Sequence, residues 1–570
     1  MSNSGWKFPR VPSLAMLAGG LAGARYRAVG VESLDDDDAL REDEKREAAV
    51  ALGGFRGEAR TQLNLALPVS LSMICNRVMS LTSVAFVGHL GSLPLAGAAL
   101  ATTLGNVTGN SILVGMASAI STIGGQAYGA GAYATLGHVA QRALLILTLA
   151  TLPIAALWSS AEPALLAVGQ DPEIARAAAV YLACLIPGLF FYAWNITAQA
   201  YMQSQRITRP GAVAGVVAAL LHVPANVVFI RVFELGYAGA ALATSWSNGV
   251  VLCINVGYLA FVKRDPPGRA TWDGWSLRAA TSGWRQFLGL AIPGILMMAE
   301  WWASEVNIIL AGWLPDPERN VAAVSIFQVT NALAFMIPVG FSVAVLTRCS
   351  NELGANAPAR ARHAAAVAFA MIVAVEAAVS VAVLAARRDW GRLYTDDDRV
   401  VHLVDRLLVP LAVYTAFDGV LCVATGVIKA CGKQWVAGPV VALAYYVVGI
   451  PTACWLAFRA GAGAMGLAVG ATVGTTVHSI IIVGVVARTD WRAEARRAAE
   501  RAAGAGADVG GRGGDEESSP RDGDGDGDRG GDGDGETLLP TAAIAEVELQ
   551  DRRADGKDDA STAVSPPKSA

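Results

Sequence analysis

The chain alternates between long apolar stretches and short polar connections. A helix needs about 20 mostly apolar residues to cross the hydrocarbon layer of a bilayer. Twelve stretches meet that length, approximately at residues 63–89, 95–127, 136–158, 176–204, 208–232, 237–262, 284–313, 321–350, 361–386, 401–430, 434–458 and 463–488. The pattern predicts an all-α membrane protein with twelve transmembrane helices, numbered below as spans 1 to 12.

The two halves of this pattern carry the same landmarks at a fixed separation. Pro68 near the start of span 1 and Pro293 near the start of span 7 are 225 residues apart, and so are Gly129 and Gly354 at the ends of spans 2 and 8. This constant offset indicates duplication of a six-helix unit. Because six is an even number, both halves enter the bilayer from the same side. We therefore predict two six-helix lobes that are parallel repeats about an axis normal to the membrane.

The apolar stretches divide the chain into five parts. We expect a disordered cytosolic N-terminal tail, an N-lobe with spans 1 to 6, a cytosolic inter-lobe loop, a C-lobe with spans 7 to 12, and a disordered cytosolic C-terminal tail. In that order the parts cover residues 1–60, 61–262, 263–283, 284–490 and 491–570.

The C-terminal tail has a composition unlike that of the spans. Glycine and aspartate alternate from Gly523 to Gly535. Such a segment cannot bury enough apolar surface to offset the entropy of ordering, so it is predicted to be disordered. Leu538-Leu539, shortly after this segment, resembles an acidic dileucine sorting signal.

The positive charges favour one orientation in the membrane. Loops that join an even span to the next odd span are rich in basic residues, which include Arg142, Arg206, Arg209, Lys263, Arg264, Arg360, Arg362 and Lys433. The loop between spans 9 and 10 is a counterexample, with Arg387, Arg388, Arg392 and Arg399. Basic loops concentrate on the cytosolic side of membranes, so the larger set predicts that both termini are cytosolic.

The composition agrees with lipid as the main solvent of the chain. Hydrophobic residues make up 54% of it and charged residues 16%, whereas a soluble domain is about 25% charged. The seven cysteines show no CxxC spacing and the six histidines form no metal-binding pattern. We therefore expect free thiols, no metal and no cofactor. The sequence also lacks the basic patch with interleaved aromatics that binds nucleic acid.

Carboxylates near the centre of a span occur only in the second half of the chain. Glu300 and Glu305 lie in span 7, Glu376 in span 9 and Asp418 in span 10. A charge at such a depth costs about 2.5–3.5 kcal/mol on insertion scales, which makes these residues candidates for function. In a medium of low dielectric constant a carboxyl group favours its neutral form and can exchange protons near neutral pH. We interpret Glu300 and Asp418 as proton-coupling residues.

Glu305 and Glu376 are possible secondary sites. Residues five positions apart on a helix are about 140° apart around its axis, so Glu300 and Glu305 are expected to face different surroundings. Glu376 has no evident polar partner in the sequence. For each of these carboxylates the alternative is a hydrogen bond to a neighbouring helix with no further role.

Further polar side chains recur on helical faces of the spans. As candidates to line a pathway across the membrane we single out Asn106, Asn195, Gln199, Gln328, Asn331 and Tyr445. For any one of them, a hydrogen bond between neighbouring helices is the alternative explanation. The sequence shows no clustered catalytic constellation, so we expect no enzymatic activity.

Several motifs together resemble one known family. They are FVGHLGSLPLAGAALA, GMASAISTIGGQAYGA, EWWASE, TRCSNELGA and VIKACGKQ, at residues 86–101, 115–130, 300–305, 347–355 and 427–434. In these segments the chain is similar to the plant multidrug and toxic compound extrusion (MATE) transporters of the detoxification-protein type. The resemblance extends over about residues 60–492, nearly everything except the tails.

The resemblance implies a MATE fold and a role in transport. It implies proton-coupled antiport that exports organic cations, phenolics such as flavonoids, hormone-like metabolites or citrate from the cytosol. The driving force would be a proton gradient, with no cofactor. The implied partners are a small-molecule substrate, protons and the lipid bilayer, for a chain that acts as a monomer in a vacuolar, Golgi/endosomal or plasma membrane. A lipid-linked flippase-like transporter and a multispan membrane enzyme are the alternatives.

The resemblance also assigns roles to particular residues. Plant members are thought to use a glutamate in span 7 and an aspartate in span 10, which correspond to Glu300 and Asp418 here. Bacterial relatives carry an aspartate in span 1, where this chain has Ser83. The expected coupling site therefore lies in the second lobe.

Overall fold

A computed structural model describes the backbone of residues 34–510 and the side-chain surroundings of residues 54–505. The alternating segment Gly523–Gly535 and the dileucine Leu538-Leu539 lie outside the described residues. Within the described part of the chain, twelve helices are long and apolar enough to cross a membrane, and no residue forms a β-strand. The prediction of an all-α protein with twelve spans is confirmed.

Each observed span overlaps the apolar stretch that predicted it. The spans are Gly54–Gly88, Ser92–Gly129, Tyr133–Ser159, Pro172–Ser204, Arg209–Val232, Gly236–Val262, Trp284–Ala311, Pro317–Gly354, Pro358–Leu393, Asp398–Ala430, Gln434–Arg459 and Ala464–Ala487. Differences occur mainly at the ends, because polar and glycine residues continue a helix beyond its apolar part.

The outer surface of the bundle carries large apolar side chains. Leu67 is 59% exposed, Leu152 52% and Ile292 56%. In water such a surface would be unfavourable, whereas the acyl chains of a bilayer solvate it at no cost. The exposed apolar residues are therefore consistent with spans that face lipid.

Each lobe has a hydrophobic core to which the other lobe contributes. The N-lobe core, around Leu147 and Leu182, also contains Phe287 from span 7. The C-lobe core, around Ile372, also contains Leu65 from span 1. The first span of each lobe thus packs into the other lobe, as expected for two repeats related by a two-fold axis.

Two glycines show this symmetry at the level of single contacts. A Cβ atom on Gly129 would overlap the carbonyl of Asn351, and a Cβ atom on Gly354 would overlap the carbonyl of Gln126. The two glycines are 225 residues apart, and so are Gln126 and Asn351. Spans 2 and 8 therefore cross in equivalent contacts that have no room for a side chain.

Polar contacts also join the lobes at the end of the bundle where span 1 begins and span 12 ends, called the basic end below. Arg348 of span 8 donates to Glu58 of span 1 through Nε at 3.0 Å and Nη2 at 2.8 Å. Arg206 of the N-lobe contacts Glu352 of the C-lobe at 3.5 Å. Gln126 donates to the carbonyl of Ala430 at 2.8 Å. These bonds hold the two lobes together at the basic end.

The predicted N-terminal tail is wrong for its second half. A helix begins at Leu34 and continues without interruption to Gly88, although disorder was expected up to residue 60. The segment is rich in alanine, glutamate and arginine, which favour helices. The bond from Arg348 to Glu58 further stabilises the first turn of span 1.

The predicted C-terminal tail is likewise wrong for residues 491–510, which form a helix, Trp491–Gly510, called the terminal helix below. Asp490 begins it, because its carboxylate accepts from the backbone of Arg492 and Ala493 at 3.1 Å each. The buried face is made of alanines at helical spacing, Ala495, Ala498, Ala502 and Ala505. The prediction missed this face because it read the abundant arginine and glutamate as a solvated tail.

The terminal helix is docked against both lobes. Arg501 donates to Gln126 of the N-lobe at 3.0 Å and to the carbonyl of Cys431 of the C-lobe at 2.9 Å. Lys433, at the loop before span 11, contacts Glu494 at 2.8 Å, and the Glu494 side chain is 2% exposed. The terminal helix therefore adds a further connection between the lobes at the basic end.

A pair of truncations tests the role of the terminal helix. A chain that ends after Gly510 should keep the unfolding midpoint of the full chain in detergent. A chain that ends after Asp490 loses the bond from Arg501 to Oε1 of Gln126 and the contact between Lys433 and Glu494, and a lost partner costs about 1–3 kcal/mol for a buried group. We expect its midpoint to fall by roughly 5 °C or more. Equal midpoints for the two truncations would contradict this role.

Candidate functional site

Span 7 is interrupted within the membrane. One helical segment runs from Trp284 to Leu296 and a second from Ala299 to Ala311, with a turn between them. Pro293 precedes the turn, and proline lacks the N–H that would continue the hydrogen-bond ladder. The interruption places Glu300 in the first turn of the second segment.

The carboxylate of Glu300 is held by side chains of two other spans. Tyr445 of span 11 donates its hydroxyl to Oε1 of Glu300 at 2.6 Å, and the same hydroxyl lies 3.1 Å from that of Thr475 in span 12. Nδ1 of His478, also in span 12, is 3.8 Å from Oε2. Tyr445 belongs to a π-helical turn, Ala442–Gly449, and such turns are frequent at functional sites. Spans 7, 11 and 12 therefore converge on Glu300.

Asp418 lies near this group in span 10. Its side chain is 4% exposed, and it is within electrostatic range of both Glu300 and Glu376. Lys429 lies about three turns further along span 10. Its charge also acts on Glu300. The structure thus brings together the two carboxylates that the sequence singled out.

Glu376 is closer to this group than the sequence indicated. It is 2% exposed, and its Oε1 has no hydrogen-bond partner among the described residues. Its side chain packs against Gly419, the residue after Asp418, so closely that a Cβ atom on Gly419 would overlap it. Spans 9 and 10 pack together here, so Glu376 lies near Asp418.

Glu305 faces the opposite direction from Glu300, as the helical spacing predicted. It interacts with Thr103 of span 2 and with the charge of Arg77 in span 1, so it points to the N-lobe. Trp302 also contacts the N-lobe, because its indole N–H donates to the hydroxyl of Ser111 in span 2 at 3.2 Å. The second segment of span 7 therefore contacts the C-lobe site on one face and the N-lobe on the other.

The remaining polar candidates fall into two groups. Gln328 lines a small cavity together with Glu300 and Tyr445, and it donates to the carbonyl of Ser304 at 3.0 Å. Asn331, one turn further along span 8, interacts with Tyr414 of span 10. Both side chains thus belong to the surroundings of Glu300.

The N-lobe candidates do not join this site. Asn195 accepts from Asn255 of span 6 at 2.8 Å, which is a helix–helix bond. Asn106 accepts from Asn110 within its own helix at 3.1 Å. Gln199 lines a separate crevice of the N-lobe. Their helical spacing resembled that of the C-lobe candidates, but their partners lie within the N-lobe.

Ser83 belongs to a polar network without a carboxylate. Its hydroxyl lies 2.9 Å from Nε2 of His222 and 3.2 Å from Thr244, while Nδ1 of His222 lies 2.8 Å from Ser247. These hydroxyls and the imidazole satisfy one another inside the N-lobe. The N-lobe thus carries a hydrogen-bonded network in place of an acidic site.

His478 and Thr475 are residues of this site that no sequence prediction named. Neither belongs to a recognisable motif, and the histidines were read only for metal-binding spacing. The available signal was the position of His478 in the middle of an otherwise apolar span, where an ionisable residue is a candidate for function. The part of the chain that the structure describes contains no group of three or more His, Cys, Asp or Glu side chains that could hold a metal ion.

Comparison with known proteins identifies the family. The MatE family model matches this chain twice, over residues 68–228 and 294–455, which together make up more than half of it. The chain belongs to the MATE family. The two matched segments begin 226 residues apart, close to the offset that indicated a duplication, so each MATE repeat corresponds to one lobe.

Relatives in plants and animals support the assignment. The chain is 38% identical to Protein DETOXIFICATION 16 of Arabidopsis thaliana, over 72% of this chain and 84% of that protein. It is 36% identical to Multidrug and toxin extrusion protein 1 of Homo sapiens, over 73% of this chain and 72% of that protein. It also resembles the crystal structure of the eukaryotic MATE transporter AtDTX14, at 32% identity and a TM-score of 0.75, over 79% of this chain and 100% of that one.

Membership of the MATE family settles the class of function. This chain is a multi-pass membrane protein and a transporter of the multidrug and toxin extrusion type, and it is not an enzyme. The resemblance inferred from the motifs is confirmed. A MATE transporter needs no cofactor, which agrees with the expectation from the sequence.

The contact between Gly419 and Glu376 can be tested by adding one methyl group. Gly419→Ala should lower the free energy of unfolding by about 1–3 kcal/mol, because the new Cβ overlaps Glu376. Gly484→Ala is the matched control, since a Cβ atom there meets nothing within 4 Å. Thermal unfolding in detergent measures both. The cost of Gly419→Ala should shrink in a Glu376→Ala background, and an unchanged cost would contradict this packing.

Proposed function

We propose that this MATE transporter is a proton-coupled antiporter that exports small organic molecules from the cytosol. The observation that carries the proposal is the position of Glu300, at the interruption of span 7 and within reach of Tyr445, His478 and Asp418. A carboxyl group that gains and loses a proton at the interruption of a span links protonation to the shape of the bundle.

The hydrogen bond from Tyr445 supports this link between protonation and shape. When Glu300 is ionised, its oxygens are acceptors and Tyr445 supplies a proton donor at 2.6 Å. When Glu300 is protonated, one oxygen becomes a donor and needs an acceptor instead. The change in partners reorients the second segment of span 7, which also contacts Ser111 of the N-lobe through Trp302.

Asp418 supplies the second proton-binding carboxyl group. Two nearby carboxylates repel each other when both are ionised, so the loss of one proton influences the other group. A cationic substrate is attracted to the ionised pair and released when protons replace it. Protons would displace phenolics or citrate differently, through the change in helix packing that follows protonation.

The contacts at the basic end indicate the direction of transport. The lobes are joined there by Glu58, Arg348, Arg206 and Glu352, so this arrangement of the bundle is closed at the basic end. If the basic end is cytosolic, protons enter from the lumen or the exterior and the substrate leaves on that side. The cycle then requires these bonds to open toward the cytosol. One chain supplies both lobes of the transporter, which supports a monomer.

The names of the relatives suggest the range of substrates. DETOXIFICATION proteins and multidrug and toxin extrusion proteins are named for foreign compounds of varied structure. We infer a similar range here, which includes organic cations, phenolics such as flavonoids, hormone-like metabolites or citrate, in a vacuolar, Golgi/endosomal or plasma membrane.

Isosteric amides test the coupling. Glu300→Gln and Asp418→Asn should each abolish transport driven by a pH gradient, because an amide keeps the size of the side chain but does not titrate. Glu376→Gln should have a smaller effect, because Oε1 of Glu376 makes no hydrogen bond to a described residue. The measurement is initial flux into proteoliposomes at a fixed gradient, per amount of protein reconstituted. Full gradient-driven flux in both Glu300→Gln and Asp418→Asn would refute the mechanism.

Epitope tags test the orientation. A tag at the C-terminus should react with antibody once the plasma membrane alone is permeabilised. A tag inserted after Val168, which is 87% exposed in the loop between spans 3 and 4, should never be reached from the cytosol. It should instead react on intact cells or only after organelles are opened. The reverse pattern would place the basic end outside the cytosol.

A further inference from the structure

Two histidines are fully buried inside the spans, and they differ in their bonding. His222 and His478 are each 1% exposed. Both ring nitrogens of His222 are within hydrogen-bond distance of serine hydroxyls, at 2.9 and 2.8 Å. Neither ring nitrogen of His478 has a hydrogen-bond partner among the described residues. Buried polar groups in native proteins nearly always have partners, so the bonding of His478 is incomplete in this arrangement.

The group nearest to His478 that can complete its bonding is Glu300. Oε2 of Glu300 is 3.8 Å from Nδ1 of His478, whereas a hydrogen bond requires about 2.7–3.2 Å. The Tyr445 ring packs edge-on against the imidazole, with the ring centres 5.5 Å apart, and its hydroxyl bonds the other oxygen of Glu300. A movement of less than about 1 Å would bring Oε2 into bonding distance. Glu300 has this freedom because it follows the interruption of span 7.

We propose that His478 takes up a proton from Glu300 and is therefore a third proton-binding side chain of the coupling site. The inference rests on the proposed function. In this step the O–H bond of the Glu300 carboxyl group breaks and an N–H bond forms at Nδ1 of His478. The products are a carboxylate and an imidazolium. The pair is neutral before and after the transfer.

The charges around His478 explain why it would hold a proton only together with Glu300. A buried imidazolium is unfavourable by itself, but an adjacent carboxylate offsets the loss of hydration. The groups that face this region are Glu300 from span 7, Tyr445 from span 11, and Tyr414, Asp418 and Lys429 from span 10. The positive charge of Lys429 opposes a second cation nearby. The proton on His478 therefore depends on an ionised Glu300.

The arrangement adds a titrating group that responds near neutral pH. Histidine is the side chain whose charge ordinarily changes between about pH 5 and 8. A site with Glu300 and His478 acting together would bind protons in coupled steps. Protons from the lumen would reach His478 through Glu300, so one proton would be shared between the two side chains.

The experiment compares the two buried histidines in the full chain. His478→Gln keeps a hydrogen-bonding side chain but cannot carry the proton, and His222→Gln is the matched control. Flux of an organic cation into proteoliposomes is measured as a function of pH, per amount of folded protein. We expect His478→Gln to move the midpoint of this curve by about one pH unit, the size of a coupled titration, and His222→Gln to leave it in place. Coincident curves for wild type and His478→Gln would overturn the proposal.

A second measurement does not depend on transport. The infrared band of the protonated Glu300 carboxyl group, identified by its loss in Glu300→Gln, is titrated with pH in wild type and in His478→Gln. A shifted midpoint in His478→Gln supports the proposal, and an unchanged midpoint contradicts it. His478→Asn replaces His478→Gln if the latter does not fold. Failure of the coupling mechanism itself would appear differently, as gradient-driven flux that persists in Glu300→Gln.

Discussion

The free-energy cost of an unpaired polar group in hydrocarbon governs the placement of polar side chains in this protein. The carboxylates of the spans face other helices: Glu300 faces Tyr445, Glu305 faces span 2, and Glu376 packs against span 10. The interrupted backbone of span 7 is tolerated for the same reason, because it packs against Gly115 of span 2. The bundle thus shelters a bent helix and an acidic cluster that lipid could not accommodate.

Duplication supplied a symmetric frame, and later divergence made its chemistry asymmetric. Both lobes keep equivalent crossings and cores that exchange their first spans. In the N-lobe, Ser83, His222 and Ser247 form a network of neutral groups whose hydrogen bonds are satisfied. In the C-lobe, Glu300, Asp418 and His478 lie close together, and neither ring nitrogen of His478 has a hydrogen-bond partner among the described residues. A saturated network stabilises one arrangement, whereas an incomplete one can change partners, which suits a site that must exchange protons.

The sequence predicts what the membrane itself imposes and misses what depends on packing. Span lengths follow from bilayer thickness, and the offset between Pro68 and Pro293 reveals the repeat. Glu300 and Asp418 stand out because charge is rare in apolar runs. Their partners could not be predicted, since the bond from Tyr445 to Glu300 joins residues 145 positions apart on helices whose rotation depends on their neighbours. The terminal helix could not be predicted because its buried face is made of alanine. A helix of this composition differs little from a solvated segment.

The crossing at Gly129 and Gly354 has a consequence for how this protein can evolve. Each lobe contributes one glycine and one carbonyl, from Asn351 or Gln126. Only a glycine fits beneath the carbonyl of the other lobe. A shift of either helix end disturbs both contacts at once, so the two lobes must change together. Recombination between distant members of the family would therefore preserve function only when a transferred lobe brings a matching glycine and carbonyl. The two halves began as copies of one unit and must now be inherited together.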